Sequence, residues 1–331
     1  MKVNGTKLKT QLELVKLANI IILNKMDKNF FKKLKVLDGG MGQELHANGL
    51  VSKGTLWSTS AVLDEKYHQL IINTHLAFVE AGADVIVTNN FSSRRIRMIQ
   101  NKVNHLFEFA NKKACELALE AKKKSKKEIF IAGSIPAQFD TYKEDVRDNE
   151  IIYNSFKEQI NCIKDYIDFF YLDVISSGRE IDIASEIIDK LNKPVLIGIH
   201  LSKNGKLPSG ETITEIVNKY KCSSWIGILA SCVSMEIAEN SITELKKQNL
   251  SFGFKVNLWG EDEPSPMKEL NNAKYYEDAV NLNTVMGKRV VEDNKFKELG
   301  LNFINNGATI LGGCCETSPK HIKILSNLKN N

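Results

Sequence analysis

Eight short runs of β-branched and apolar residues recur along this 331-residue chain, about every 25 to 50 residues. Each is closed at or just after its end by Gly, Asn, Asp, Ser or Cys, and they span 35–38, 84–88, 129–133, 169–174, 194–200, 225–230, 253–258 and 308–311. Between them lie stretches with apolar residues at three- and four-residue spacing, among them 65–81, 105–122, 152–165, 181–191, 212–220 and 294–306. Strands that alternate with helices build a parallel sheet, and eight such units point to an α/β fold of the (β/α)8 TIM-barrel type. A doubly wound open sheet is the other arrangement this pattern allows. In the barrel, chemistry sits at the C-terminal ends of the strands. The alternation predicts one barrel domain over 34–331, with no linker and no further repeat. Residues 1–33 form an N-terminal extension, in which 9–25 is expected to be an amphipathic helix covering the barrel bottom.

Charge and hydropathy remove several classes of function. The 45 basic and 40 acidic residues leave a net charge of +5, too dilute for an electrostatic reader of nucleic acid or membrane. The lysine-rich segment 122–127 reads as solvated helix-end charge. No stretch approaches the ~20 apolar residues of a membrane helix, and the apolar segment 17–23 is interrupted by Asn19. Charges at Lys25, Asp27 and Lys28, with no small-residue cleavage site, argue against a signal peptide and for a cytoplasmic protein. The partners expected are small molecules, and both a monomer and a homo-oligomer fit the composition.

The six cysteines are too few for a disulfide framework in a chain this long, so they are core residues, nucleophiles or metal ligands. Cys115, Cys162 and Cys222 lie within or beside helical segments and read as small buried hydrophobes. Cys314 and Cys315 differ, because they follow the eighth strand directly in Leu311-Gly312-Gly313-Cys314-Cys315-Glu316-Thr317-Ser318-Pro319. Adjacent residues of a strand point to opposite faces, so both thiols reach one site only if the backbone bends, which the two glycines permit. Cys232 lies just past the sixth strand, near the end of the eighth in a barrel. Three protein thiolates with a fourth position open match a catalytic rather than a structural zinc site. His200, at the end of the fifth strand, is the nearest other candidate ligand.

Several motifs carry a family resemblance. They are Asp38-Gly39-Gly40-Met41-Gly42, Leu56-Trp57-Ser58, Ala81-Gly82-Ala83-Asp84 leading into Thr88-Asn89-Asn90-Phe91, Ala132-Gly133-Ser134, and Gly312-Gly313-Cys314-Cys315. In this order they resemble the homocysteine S-methyltransferase family over roughly residues 34 to 328. The resemblance implies a zinc-dependent barrel that moves a methyl group onto the thiol of homocysteine to give methionine. It implies Cys232, Cys314 and Cys315 as zinc ligands that act in catalysis through the metal. Asp38, with Gly39 and Gly40, is expected to touch the amino acid part of homocysteine, and Asn90, Phe91, Asp173 and Asn257 to line the site. Departures from the family pattern are Asp173-Val174 where many members have Glu-Thr, Ser231 in place of Asn before the first zinc cysteine, and Ile135-Pro136 in place of Gly-Pro.

The chemistry agrees with this set of residues. A free thiol has a pKa near ~8.5 and is mostly protonated at neutral pH, whereas zinc deprotonates a coordinated thiol outright. The methyl donor must carry its methyl on a positive centre, and in-line displacement there needs alignment more than acid or base help. Trp57, Phe91 and Trp259 offer aromatic faces to such a cation, although the same rings suit ordinary packing. Folate-using relatives carry further domains and the betaine-dependent type a C-terminal extension, whereas here only residues 316–331 follow Cys315. S-methylmethionine or S-adenosylmethionine is therefore the expected donor. Two alternatives stay open: methylation of another small thiol or a selenol on the same scaffold, and a non-catalytic zinc-binding barrel.

Overall fold

The computed structural model describes residues 29–260 and 288–330. Among these, eight parallel strands form one sheet in the order β1-β8-β7-β6-β5-β4-β3-β2. They are β1 (Lys35–Val36), β2 (Val85–Val87), β3 (Phe130–Pro136), β4 (Phe169–Ile175), β5 (Val195–Ile199), β6 (Trp225–Ser231), β7 (Phe252–Val256) and β8 (Ile310–Gly313). The sheet closes on itself: Leu37 bridges Val85, the Asp84 N–H donates to the Val36 carbonyl at 2.7 Å, and the Asp38 N–H donates to that of Val85 at 3.0 Å. The result is a (β/α)8 TIM barrel, as the alternation predicts, and not an open sheet.

Each strand is followed by a helix of the outer ring. These are α1 (His68–Ala81), α2 (Phe107–Lys124), α3 (Asn149–Ile163), α4 (Gly178–Asp189), α5 (Ile213–Tyr220), α6 (Met235–Lys246), α7 (Asp293–Asn305) and α8 (Pro319–Asn327). Start signals are written locally: Ser177, Thr212 and Ser234 each accept a hydrogen bond from the first turn, and Thr212 forms a capping box with Glu215. None of the helices is long and apolar enough to cross a membrane among the described residues.

Strands of a parallel barrel are buried on both faces, which is why they read as near-continuous apolar runs. One set of side chains, such as Ile86, Ile131 and Leu172, packs outward under the helices. The alternate set, including Val85, Ala132, Tyr171 and Leu229, fills the barrel itself. At the N-terminal mouth Phe31 is fully buried, with its ring edge-on to Phe169 at 5.7 Å. Ser251 and Thr309 hydroxyls donate to its carbonyl. A plug thus closes the barrel bottom, while the helix expected at 9–25 lies outside the described residues.

In the lysine-rich segment Lys123, Lys124, Lys126 and Lys127 are exposed, as the reading of solvated charge expects, and Lys122 departs from it. Lys122 is buried against Asp168 at 2.9 Å and ties α2 to the start of β4, while Lys127, beyond the end of α2, donates to the Val79 carbonyl. Helical spacing alone does not show that the last turn of α2 lies over the bottom of β4.

Candidate functional site

The three strand-end cysteines converge. Cys232 follows β6 and Cys314 and Cys315 follow β8, with Cys232 and Cys314 each 3.7–3.9 Å from Cys315 and all three sulfurs within 4.8 Å of one another. Tetrahedral zinc with Zn–S bonds of ~2.3 Å requires sulfurs ~3.8 Å apart. The two closest pairs therefore already stand at the spacing of a shared zinc ion. Cys115, Cys162 and Cys222 lie elsewhere, and no nitrogen of His200 joins the cluster. His200 instead packs its ring against Tyr142 at 4.6 Å.

The backbone bend that brings the cysteines together is not made by the glycines before them. Gly312 and Gly313 have no left-handed φ; the turn comes one residue after the cysteines, at Glu316 with φ +63°. It is held by the Thr317 N–H and hydroxyl, both donating to the Cys314 carbonyl. Gly313 is small for a different reason, since a Cβ there would run into the Thr317 side chain. Cys232 itself has φ +52° and is pinned by its own N–H on the Lys255 carbonyl at 2.8 Å. Left-handed backbone is costly for non-glycine residues and collects where a structure needs it for function. Trp57, Tyr142 and Val174 share this conformation, and all three line the same cavity. At Val174 the register of β4 against β5 shifts, a bulge that turns Asp173 into the cavity.

Electrostatics around the sulfurs are shared among buried groups. Burial works against a charge on Cys232, but hydrogen bonds from Cys314, Cys315, Tyr142 and Asn257 hold its thiol well below the usual range. The Tyr142 hydroxyl lies 3.2 Å from the sulfur. Cys314 is pushed up to about 12, first by its hydrogen bond to Cys232. Burial raises Asp38 to about 6 against the pull of Lys255 and the Val87 N–H. Burial and the charge of Cys314 raise Asp173 to about 7, opposed by Lys255 and the Ser134 hydroxyl, which donates at 2.9 Å. Burial disfavours a charge on Lys255, yet Asp38, Cys314 and Asp173 outweigh it and leave its pKa above the ordinary value.

The structure sorts the other expected site residues into two groups. Asp38, Gly39, Gly40, Phe91 and Asp173 line the cavity beside the cysteines. Asn90 and Asn257 have their amides occupied by protein. Asn90 donates to Asn111 and to the Ser134 carbonyl, bracing β2 against β3. Asn257 donates to the Cys232 carbonyl at 2.8 Å and accepts from the Trp259 N–H, so it holds the Cys232 turn. Trp57 and Trp259 also line the cavity, and Trp57 stacks on His46 at 4.5 Å. Phe91 has the Arg94 guanidinium over its ring at 5.3 Å. Ser231 accepts or donates a 2.5 Å hydrogen bond with the Tyr171 hydroxyl inside the barrel.

Sequence reasoning missed two residues. Tyr142 lies in the loop after β3, where no local pattern marks it. Lys255 did carry a signal: a charged side chain in the middle of a strand buried on both faces requires a partner.

Comparisons with known proteins agree with this geometry. The family model described as homocysteine S-methyltransferase matches residues 35–328. The chain is 22% identical over 320 residues to Homocysteine S-methyltransferase 1 of Arabidopsis thaliana, covering 88% of this chain and 92% of that protein. It is 25% identical over 314 residues to S-methylmethionine–homocysteine S-methyltransferase BHMT2 of Rattus norvegicus, covering 92% and 80%. Its fold is similar to the crystal structure of the metallated homocysteine methyltransferase MmuM from Escherichia coli, with a TM-score of 0.72 and 18% identity over 89% of this chain and 96% of that one.

Proposed function

Because the chain belongs to the homocysteine S-methyltransferase family of methyltransferase enzymes, we propose that it moves a methyl group from S-methylmethionine or S-adenosylmethionine to the thiol of homocysteine, giving methionine. The observation that carries this reading is the sulfur trio of Cys232, Cys314 and Cys315, whose spacing fits one tetrahedral zinc ion with a position left for a substrate sulfur. When bound, zinc supplies a Lewis acid that keeps the acceptor sulfur deprotonated at neutral pH.

The chain's own residues supply the rest. Cys232, Cys314 and Cys315 would hold the metal at the barrel mouth; Asn257 holds the Cys232 turn through its carbonyl, and the Tyr142 hydroxyl contacts the Cys232 sulfur. Asp38 and Asp173 present buried carboxyl groups to the acceptor's ammonium. Trp57, Phe91 and Trp259 give the wall beside the sulfurs aromatic faces that suit a sulfonium. In the transfer, an electron pair on the acceptor sulfur forms the new carbon–sulfur bond. The donor's methyl–sulfur bond breaks with its electron pair going to the donor sulfur, which leaves as a neutral thioether. The acceptor's thiol proton is lost to solvent before the step.

The test is methionine formation from homocysteine by zinc-loaded, reduced protein, with the two donors run in parallel and Cys314→Ala as control. Activity with one donor that disappears in the variant is the expected result. Absence of turnover with both donors at full zinc occupancy would overturn homocysteine as acceptor and favour another small thiol or a selenol.

A further inference from the structure

The barrel interior carries one feature that zinc binding and methyl transfer do not require. Lys255 is the next-to-last residue of β7, 5% exposed, with its side chain in the cavity beside Cys314. Burying an ammonium among apolar strands is unfavourable unless it has partners. Its partners here are incompletely used. The Nζ donates to the Gly313 carbonyl at 2.5 Å, immediately before Cys314. The nearest oxygen of Asp38, Oδ1, stands 3.4 Å away and has no hydrogen-bond partner among the described residues, while Oδ2 accepts from the Val87 N–H at 2.8 Å. An ammonium has three protons to donate, so donor capacity remains on Nζ and acceptor capacity on Oδ1. Asp173, the second buried carboxyl group, lies in the same cavity.

A cationic donor and an anionic acceptor that meet in a single 3.4 Å ion pair, each with bonding capacity to spare, are the complement of a zwitterion. An α-amino acid group brings a carboxylate for Nζ and an ammonium for Asp38 and Asp173 together. Because Nζ bonds the carbonyl of Gly313, the residue before Cys314, the spacer between that group and the thiol is a short one. We propose that Lys255 binds the carboxylate of the acceptor and so selects small thiols that bear one. This rests on the reading of the three cysteines as the place of the acceptor sulfur. Lys255 is then a specificity-determining residue, whose charge also balances Asp38.

The test uses the zinc-loaded full chain and three acceptors: homocysteine, 3-aminopropanethiol, which lacks the carboxylate, and 4-mercaptobutanoate, which lacks the ammonium. Binding is measured by calorimetry and transfer by steady-state kinetics. A hydrogen bond to a charged group predicts that the wild type binds 3-aminopropanethiol about 10- to 100-fold more weakly than homocysteine. Lys255→Met should raise KM for homocysteine by a similar factor while changing 3-aminopropanethiol less than about 3-fold, and Lys255→Arg should recover most of the loss. Equal binding of the two thiols by the wild type overturns the proposal without any variant having to fold. An equal loss on both acceptors in Lys255→Met overturns it as well, in favour of a purely structural lysine. If none of the three is methylated, the homocysteine reading falls, and the calorimetric ranking still decides the role of Lys255.

Discussion

Replacing Asn257 by alanine separates the architecture of the cysteine site from its ligands. The Asn257 amide donates to the Cys232 carbonyl at 2.8 Å, and its oxygen accepts from the Trp259 N–H at 3.2 Å. Cys232 needs this support, because a φ of +52° costs a non-glycine residue about 1–2 kcal/mol. Asn257→Ala removes both bonds and leaves a carbonyl and an N–H unpaired in a buried position. At about 1–3 kcal/mol for each orphaned group, with some relaxation of the turn, the loss comes to ~3 kcal/mol. For a chain of this size that lowers Tm by ~4 °C, measured on metal-free, reduced protein. A displaced Cys232 sulfur also weakens zinc, and loss of a supporting hydrogen bond typically reduces metal affinity about 10- to 100-fold. Thermal melts together with zinc competition against a chelator of known affinity read both quantities. A lower Tm with unchanged zinc affinity would refute the argument, since Asn257 would then stabilise the barrel without holding the ligand.

Four further outcomes follow from particular contacts. Burial raises Glu180 from 4.5 to about 7, so the folded chain binds this proton more tightly than the unfolded one. The stabilisation is complete below pH 4.5 and is lost as pH rises through 7. Glu180→Gln should remove that slope in urea unfolding between pH 5 and 8, and be more stable than the wild type at pH 8 by about 3 kcal/mol; parallel curves for the two proteins would contradict it. Gly253 pairs with Ile310 across β7 and β8, and a Cβ there would overlap the Ile310 carbonyl oxygen. Gly253→Ala should therefore cost at least ~3 kcal/mol or prevent folding, as read by circular dichroism and melting. Tyr142→Phe removes a hydrogen bond that favours the Cys232 thiolate, so thiolate absorbance near ~240 nm in metal-free protein should titrate at higher pH than in the wild type. Cys162→Ser and Cys222→Ser should bind zinc with wild-type stoichiometry in the same competition assay, because neither sulfur belongs to the cluster.

The legible part of this protein was local. Eight strand runs mark the barrel because strands buried on both faces must be apolar throughout, and each run overlaps an observed strand with ends moved by a few residues. The boundaries moved because hydrogen-bond pairing ends a strand, not composition; β3 continues through Ser134 and Ile135 to Pro136, where it lies against Asp173. Cys314 and Cys315 stood out because they are adjacent at a strand end, and Asp38 because it closes the first strand. Asn90 and Asn257 were legible as polar residues at strand ends. Whether their amides face a ligand or a neighbouring loop depends on which carbonyls lie within hydrogen-bond distance, and local sequence carries no such information.

The amino-acid sequence by itself therefore determined the barrel, the strand ends at which chemistry gathers, and the identity of the three thiols. Only the tertiary structure decided that Lys255 faces Asp38, that Tyr142 reaches Cys232 from another loop, and that the turn after Cys314 and Cys315 comes from Glu316 and not from the glycines. The physical reason is closure. Lys35 pairs with Ile310 and Leu37 with Val85, so the ends of the chain's first and last strands meet. Side-chain distances across the mouth are set by that ring of backbone hydrogen bonds, between residues whose separation in sequence says nothing of their separation in space.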